Sequence, residues 1–163
     1  MTKQNYLALF AKSFNWAGFF LPKNIYHDCS KLYTFCRILD DLVDGKDNLE
    51  IKIERFNKIK SILKNNYELD SNRQLSDKNE HELIVNDVII LADNNNIKKI
   101  IIDDLIEGVG SDLKQKVHFR SVKDLLIYSY GVAGTVGLMM AKILNVNDTR
   151  SLKGAIDLGI AMQ

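Results

Sequence analysis

The chain has 163 residues, a length that fits one domain with its own hydrophobic core. Its 22 Lys and Arg residues against 21 Asp and Glu residues leave a formal charge of +1, and the basic residues are spread out, so nucleic acid is not an expected partner. The N-terminus shows no secretory signal, and no run reaches the roughly 18 uninterrupted apolar residues of a membrane-spanning helix, so we expect no transmembrane segment.

Apolar residues recur at three- and four-residue spacing, which predicts an all-α chain. Pro22 opens a long helix that ends before Gly45, because proline favours the first turn of a helix and glycine the position just past its end. Further helices are predicted over residues 50–67, 80–92, 97–115, 121–144 and 149 to the end, with a mobile polar loop over 68–79. The helix over 50–67 is expected to direct six apolar residues inward: Ile51, Ile53, Phe56, Ile59, Ile62 and Leu63.

Two cysteines lie seven residues apart on the first long helix. The Cα atoms of Cys29 and Cys36 should then be about 10.5 Å apart. A disulfide spans at most about 7 Å between Cα atoms. We therefore predict two free thiols that pack as small apolar residues, in keeping with a reducing cytoplasm.

The first long helix ends on three carboxylates, Asp40, Asp41 and Asp44. A helix C-terminus carries partial negative charge, so these residues destabilise their own helix unless a cation is bound there. Asp40 and Asp44 share one helix face about 6 Å apart along the axis, and Arg37 projects from nearly the same face. Carboxylates bind Mg²⁺ together with phosphate oxygens, and guanidinium binds phosphate with two hydrogen bonds, so the set suits a diphosphate. The alternative is a solvated acidic turn with Arg37 as an intrahelical ion partner.

Two further features lie in the second half of the chain. Glycines at 131, 134 and 137 recur every three residues in an apparent helix and are expected to share a face, either for close helix packing or as a smooth channel for an apolar ligand. The helix over 97–115 carries a second acidic group, interpreted as a solvated face: Asp103, Asp104, Glu107 and Asp112. The three histidines are isolated, so no zinc site is predicted.

Five segments, in this order, resemble motifs of the squalene/phytoene synthase family. They are residues 13–17 (SFNWA) with 21–22 (LP), 32–44 (LYTFCRILDDLVD), 105–113 (LIEGVGSDL), 128–137 (YSYGVAGTVG) and 158–163 (LGIAMQ). The third differs from the family pattern by Glu in place of Asp. Val117, His118 and Phe119 stand where the family usually has an Arg-Tyr pair.

The resemblance implies an all-α isoprenoid synthase-type helical bundle, with a cavity between two aspartate-rich helices. Residues 1–163 would form a single prenyl synthase domain that stops before the second aspartate-rich motif. The metal would be Mg²⁺, with Mn²⁺ as an alternative, held by Asp40 and Asp44. The implied catalytic residues are Asp40, Asp44, Arg37, Tyr33 and Tyr128. The implied substrate-binding residues are Ser13 and Phe14 beside the donor substrate, Val132, Ala133, Val136, Gly137 and Met140 along the prenyl tail, and Gln163 in the last motif.

The function implied by the resemblance is Mg²⁺-dependent head-to-head condensation of two geranylgeranyl diphosphates, through a cyclopropyl diphosphate, to phytoene in carotenoid biosynthesis. One alternative is a squalene or dehydrosqualene synthase that uses farnesyl diphosphate, with NADPH needed only for squalene. Another is a non-catalytic helical assembly or binding protein of the same family. Because the second aspartate-rich motif is absent from the sequence, we expect a fragment that is inactive and poorly soluble by itself. We expect a cytoplasmic location, compatible with peripheral membrane contact.

Overall fold

The computed structural model describes residues 9, 11–68, 80–114 and 119–163, and these form helices and no strand. The predicted all-α class is confirmed. A 3₁₀ turn, Ser111–Leu113, extends the fifth helix, and a π-helical turn, Tyr130–Gly134, joins the sixth to the seventh. In chain order the α-helices are α1 (Lys12–Gly18), α2 (Lys23–Asp44), α3 (Leu49–Glu68), α4 (Glu80–Asn94), α5 (Lys99–Gly110), α6 (Val122–Ser129), α7 (Thr135–Ile143) and α8 (Thr149–Met162).

Helix α2 is the central element of the bundle. Its N-cap is Pro22 and its C-cap is Gly45, so the predicted limits of this helix are confirmed. Its buried side packs against α4, α5, α3 and α7, and it consists of Cys29, Leu32, Phe35, Leu39 and Val43. These residues are three or four apart and therefore form one stripe along the helix.

Helix α3 buries a narrower stripe than the sequence predicts. Phe56, Ile59 and Leu63 are buried, but Ile51 and Ile53 are 37% and 39% exposed, so their predicted inward position is wrong. Ile51 lies five residues before Phe56 and therefore about 140° around the helix from the buried stripe. Ile53 lies at the edge of that stripe. The predicted loop over 68–79 overlaps α3 at residue 68, and residues 69–79 lie outside the described residues.

Asparagines with positive φ end two of the helices. Asn96 has φ 53° after α4, and Asn145 has φ 61° after α7. Asn adopts this left-handed conformation more readily than other residues with a side chain, because its amide forms local hydrogen bonds. The backbone N–H of Ile97 then donates to the carbonyl of Ala92 at 2.9 Å, which closes the end of α4.

Helices α6 and α7 form one continuous helix through the π-helical turn, Val122–Ile143. Ser121 caps its start by accepting a hydrogen bond from the backbone N–H of Asp124 at 3.2 Å. Among the described residues this is the one helix whose length and apolar composition would allow a membrane span, and 39% of its most apolar stretch is buried. A packed core helix meets the same criteria, so this finding does not by itself indicate a span.

The glycines of this helix make close contacts with two different neighbours. A Cβ atom at Gly131 would lie 3.1 Å from the Cα atom of Gly108 in α5, whereas one at Gly137 would lie 2.2 Å from the carbonyl oxygen of Ala155 in α8. Close helix packing is therefore confirmed. Gly134 faces α8 as Gly137 does, so the prediction that glycines 131, 134 and 137 share one face is wrong for Gly131. Six residues of a regular α-helix already turn Gly137 about 120° away from Gly131, and the π-helical turn changes that rotation further.

Candidate active site

The exposed end of α2 presents a ridge of polar side chains. Tyr33, Arg37, Asp40 and Asp44 are three or four residues apart and so lie along one side of the helix. Asp40 and Asp44 are exposed, and Arg37 and Tyr33 are half-buried. The helix stops directly after Asp44, so both carboxylates stand at its negative end.

Arg37 makes a paired contact with a neighbouring carboxylate. Its Nη2 atom lies 2.7 Å from Oδ1 of Asp41, and its Nε atom donates to Oδ2 of the same residue at 3.2 Å. This is the intrahelical ion pair that the alternative interpretation of the sequence predicts. Exposed pairs of this kind contribute only about 0.3–0.5 kcal/mol. Loss of this ion pair, if a diphosphate took the place of Asp41, would therefore cost the chain little stability.

The two ridge carboxylates repel each other. The pKa of Asp40 is raised, first by loss of solvent around the carboxyl group and then by the charge of Asp44. Arg37 opposes this shift, while Asp41 and Asp112 add to it. The net effect is an excess of negative charge that a bound cation would neutralise.

The charge of Asp112 acts on Asp40, and Asp112 is hydrogen-bonded to another helix, although the sequence interpretation places it on a solvated face. The hydroxyl of Tyr128 donates a hydrogen bond to Oδ2 of Asp112 at 2.9 Å. Burial, this bond and the charges of Asp112, Asp44 and Asp40 raise the pKa of Tyr128 to about 12. Partial burial and the charge of Asp44 raise the pKa of Asp112, and the bond from Tyr128 lowers it.

Asp104, from the same acidic group, is also bound to a tyrosine. Its Oδ2 atom accepts a hydrogen bond from the hydroxyl of Tyr130 at 3.2 Å. Burial, together with the charge and hydrogen bond of Asp104, raises the pKa of Tyr130. The solvated-face interpretation is therefore wrong for Asp104 and Asp112, whereas Glu107 is exposed as expected.

Asp40 and Asp44 can supply part of the ligands of a cation, and phosphate oxygens would supply others. In the described part of the chain, no three His, Cys, Asp or Glu side chains are grouped closely enough to hold one ion. Mg²⁺ is commonly held by one or two carboxylates, with phosphate oxygens and water as its other ligands. Asp40 and Asp44 supply two such carboxylates. The donor set thus suits a magnesium diphosphate better than a bare ion.

The predicted tail-binding residues divide between two sides of the long helix. Val132, Val136 and Met140 are partly buried against the hydrophobic core. Ala133 and Gly137 face α8 instead: the carbonyl oxygen of Ala133 would lie 2.4 Å from a Cβ atom at Gly159. The role of all five residues in binding a prenyl tail stays a prediction.

Helix α1 lies away from the ridge. Ser13 and Phe14 are exposed on it, and the hydroxyl of Tyr26 donates to the side chain of Asn15 in the same helix. Tyr26 precedes Asp40 by 14 residues of α2, which is about 21 Å along the helix axis. The structure therefore does not bring Ser13 and Phe14 to the carboxylates. Gln163 is exposed and follows α8 directly.

A cavity of about 440 Å³ lies between α3 and α5 and contains none of the ridge residues. Apolar side chains such as Ile53 and Phe56 line it together with Lys60, Glu107 and Lys114. Ile53 therefore lines this cavity and is not part of the hydrophobic core.

The structure is that of an all-helical protein with two neighbouring carboxylates, Asp40 and Asp44, and an arginine able to bind phosphate, Arg37, along one side of α2.

A family model described as squalene/phytoene synthase matches residues 7–163. The 15-cis-phytoene synthase of Paracoccus sp. is 33% identical over 153 residues, which cover 94% of this chain and 49% of that protein. The 15-cis-phytoene synthase of Pantoea ananas is 28% identical over 165 residues, which cover 96% and 50%. The chain belongs to the squalene/phytoene synthase family.

A solved structure shows the same fold. The crystal structure of a dehydrosqualene synthase in complex with ligand matches with a TM-score of 0.71 at 26% identity, over 96% of this chain and 51% of that one. The predicted isoprenoid synthase-type fold is confirmed. The chain spans about half the length of these relatives.

Proposed function

We propose that the chain is part of a phytoene synthase-type prenyltransferase, which condenses two geranylgeranyl diphosphates head to head, through a cyclopropyl diphosphate, to phytoene. The ridge of α2 carries this proposal, because it places Asp40, Asp44 and Arg37 along one side of a helix. Relatives named as phytoene synthases support the choice of reaction.

The ridge residues would act on the diphosphate group. Asp40 and Asp44 would hold Mg²⁺, or Mn²⁺ as an alternative. The bound metal would neutralise charge on the departing diphosphate. Arg37 would exchange Asp41 for two phosphate oxygens and donate two hydrogen bonds to them. Tyr33, one turn before Arg37, would contact the same group. These donors lie where negative charge develops, so they would stabilise ionisation more than the bound substrate.

The long helix would bind the prenyl tail. Val132, Val136 and Met140 are four residues apart and partly buried against the core, so together they offer one apolar strip. An apolar wall also excludes water from the allylic cation that forms when diphosphate leaves. We propose a cytoplasmic location with peripheral membrane contact, since the product would be a hydrocarbon.

A second candidate is the condensation of two farnesyl diphosphates, and the likeness to a dehydrosqualene synthase favours it. The two candidates share the diphosphate site and differ in tail length. NADPH would be required only if the product were squalene.

Binding by the chain itself tests the diphosphate site. We expect the chain to bind Mn²⁺ in the presence of inorganic diphosphate, measured by equilibrium dialysis as Mn²⁺ on the protein side in excess of the protein-free side, because diphosphate itself binds Mn²⁺ in solution. The Asp40→Asn, Asp44→Asn double variant should lose this binding. Equal binding by the double variant and the wild type would contradict the proposed site and favour the non-catalytic alternative.

A chimera tests the reaction. Residues 1–163 would replace the matching half of the Paracoccus sp. 15-cis-phytoene synthase, with the parent enzyme as positive control. We expect labelled geranylgeranyl diphosphate to yield a C40 hydrocarbon, and the Asp40→Asn, Asp44→Asn chimera to yield none. A folded chimera that accepts farnesyl diphosphate alone would replace the first candidate with the second.

A further inference from the structure

A lysine of α3 binds the last turn of α2. The Nζ atom of Lys52 donates a hydrogen bond to the carbonyl oxygen of Val43 at 2.7 Å. This carbonyl belongs to the peptide group that joins Val43 to Asp44, and the side chain of Val43 is buried in the core. Lys52 itself is half-buried. The lysine is therefore in direct contact with the backbone that carries a ridge carboxylate.

The end of α2 needs such a donor for two reasons. The last four carbonyl groups of an α-helix have no partner within it, and that of Val43 is one of them. In addition, the helix dipole leaves negative charge at this end, and the carboxylates of Asp40 and Asp44 add to it. An ammonium group bonded to the carbonyl counters both effects, and a charged hydrogen bond is stronger than a neutral one.

The first turn of α3 holds Lys52 in place. Asn48 precedes this helix, and its side-chain oxygen accepts a hydrogen bond from the backbone N–H of Ile51 at 2.9 Å. The backbone carbonyl of Asn48 accepts from the N–H of Lys52 at 3.1 Å. Asparagine is a favoured N-cap residue and stabilises the start of a helix in this way. The lysine side chain therefore projects from a capped helical turn.

We propose, on the basis of the proposed function, that Lys52 is a positioning residue of the diphosphate site, which holds the last turn of α2 so that Asp40 and Asp44 can bind one metal ion together. Joint binding requires the two carboxylates one turn apart on the same side of the helix. If the last turn unwinds, Asp44 leaves this position. The apparent dissociation constant then rises in inverse proportion to the fraction of molecules in which the turn is formed.

Arg55 provides a matched control. It lies three residues beyond Lys52 on α3, and its guanidinium forms an ion pair with Asp47 in the connection between α2 and α3. Arg55→Met therefore removes one positive charge and one link to the connection, as Lys52→Met does. It leaves the carbonyl of Val43 with its partner. A difference between the two variants then reports the contact with the helix end and not the charge alone.

The first measurement is the affinity of the 163-residue chain for Mn²⁺ with inorganic diphosphate, determined by equilibrium dialysis. Lys52→Met should weaken binding roughly tenfold, which corresponds to a last turn formed in about one molecule in ten. Lys52→Arg restores a charged donor and should bind within about threefold of the wild type. Arg55→Met should change the affinity less than about twofold, because an exposed charge acts weakly through water. If Lys52→Met does not fold, Lys52→Gln against Arg55→Gln makes the same comparison.

The second measurement observes the peptide group itself, which a general loss of stability would not alter in the folded chain. Val43 and Asp44 form the one Val–Asp step in the sequence. Protein labelled with ¹³C at valine carbonyls and with ¹⁵N at aspartate therefore shows a single HNCO cross-peak. The carbonyl shift of this peak should change in Lys52→Met and stay in place in Arg55→Met.

Solvent exchange of the Asp44 amide proton reports whether the last turn is formed. This exchange should be faster in Lys52→Met than in the wild type, because the turn opens more often. Saturating Mg²⁺ with diphosphate should slow it again, since binding selects the formed turn.

The outcomes distinguish the two proposals. A wild-type chain that binds no Mn²⁺ with diphosphate would overturn the proposed function. Normal wild-type binding with equal affinities in Lys52→Met and Arg55→Met would overturn only the role of Lys52. An unchanged Val43 carbonyl shift in Lys52→Met would do the same, and so would a Lys52→Arg variant that binds as weakly as Lys52→Met.

Discussion

The carboxylates at the end of α2 oppose the stability of the helix that carries them. Asp40 and Asp44 stand where the helix dipole is negative, and each also repels the other. Such an arrangement persists more readily where the charges serve a ligand. Removal of the two charges should therefore raise the stability of the chain and abolish its binding of a divalent cation.

The Asp40→Asn, Asp44→Asn variant should be more stable than the wild type in the absence of a divalent cation. We expect its free energy of unfolding to rise by about 0.5–1 kcal/mol, because each negative charge at a helix C-terminus destabilises the helix by a few tenths of a kcal/mol or more. Urea unfolding monitored by circular dichroism measures this. Asp93→Asn, in the last turn of α4, is the matched control: it should also stabilise the chain but leave Mn²⁺ binding unchanged. A destabilised double variant would contradict the argument.

Cys36 should be unreactive in the folded chain. Burial, assisted by the charge of Asp40, raises the pKa of its thiol to about 12. An unfolded cysteine titrates near 8.5. Iodoacetamide at pH 8.5 should therefore modify Cys36 far more slowly in the native chain than in urea, as followed by mass spectrometry. Equal rates would show that the thiol is accessible.

The raised pKa of the Cys36 thiol also predicts that the chain loses stability at alkaline pH. Between about pH 9 and pH 12 the unfolded chain has lost a proton that the folded chain retains. The unfolded state then binds fewer protons, so the free energy of unfolding decreases as pH rises. The slope should be smaller in Cys36→Ala, and urea midpoints from pH 8 to pH 10.5 would reveal the difference. An identical slope in both proteins would contradict the assignment to Cys36.

At the scale of helices, the effect of Gly→Ala substitutions on stability should depend on which atoms the added methyl group would contact. Gly108→Ala places a Cβ atom 2.7 Å from the backbone of Gly131. We expect a loss of about 1–3 kcal/mol from the forced shift of α5, larger than the roughly 1 kcal/mol that alanine contributes within a helix. Urea unfolding and the helical circular dichroism signal would measure it.

Gly154 provides the control for this prediction. It lies within α8, and a Cβ atom there would have nothing within 4 Å. Gly154→Ala should therefore stabilise the chain by about 0.5–1 kcal/mol. Stabilisation by both substitutions would show that the α5 crossing is looser than the structure indicates.

The sequence predicts the fold of this chain better than it predicts which residues meet across helices. Pro22 and Gly45 mark the ends of α2 because both act locally. The sequence interpretation places Asp112 on a solvated face of a single α-helix over 97–115. The chain tightens into a 3₁₀ turn at Ser111–Leu113, and rotation rises from 100° to 120° per residue. Such a change of helix type has no clear sequence signal, so the pairing of Asp112 with Tyr128 could not be foreseen.

Besides the acidic ridge, the surface of the molecule carries several large apolar side chains that are mostly exposed. Trp16 of α1 and Phe19, directly after that helix, are 71% and 82% exposed, and on α8, Leu158 and Met162 are 62% and 69% exposed. Aromatic rings of α1 and of the turn after it pack on one another: the ring centroids of Trp16 and Phe20 are 5.4 Å apart. Exposed apolar patches of this kind favour association.

We therefore expect the 163-residue chain to self-associate through α8. Exposed Leu158 and Met162 are four residues apart on one side of that helix, so burying both against another copy removes apolar area from water. Sedimentation velocity should show a weight-average mass that rises with concentration. Leu158→Lys with Met162→Lys should shift the chain toward monomer, because association would then bury two charges. Ser151→Lys with Lys153→Arg, on exposed polar positions of the same helix, should leave association unchanged. A chain that stays monomeric at every concentration, or a lysine pair with no effect, would exclude α8 as the surface of association.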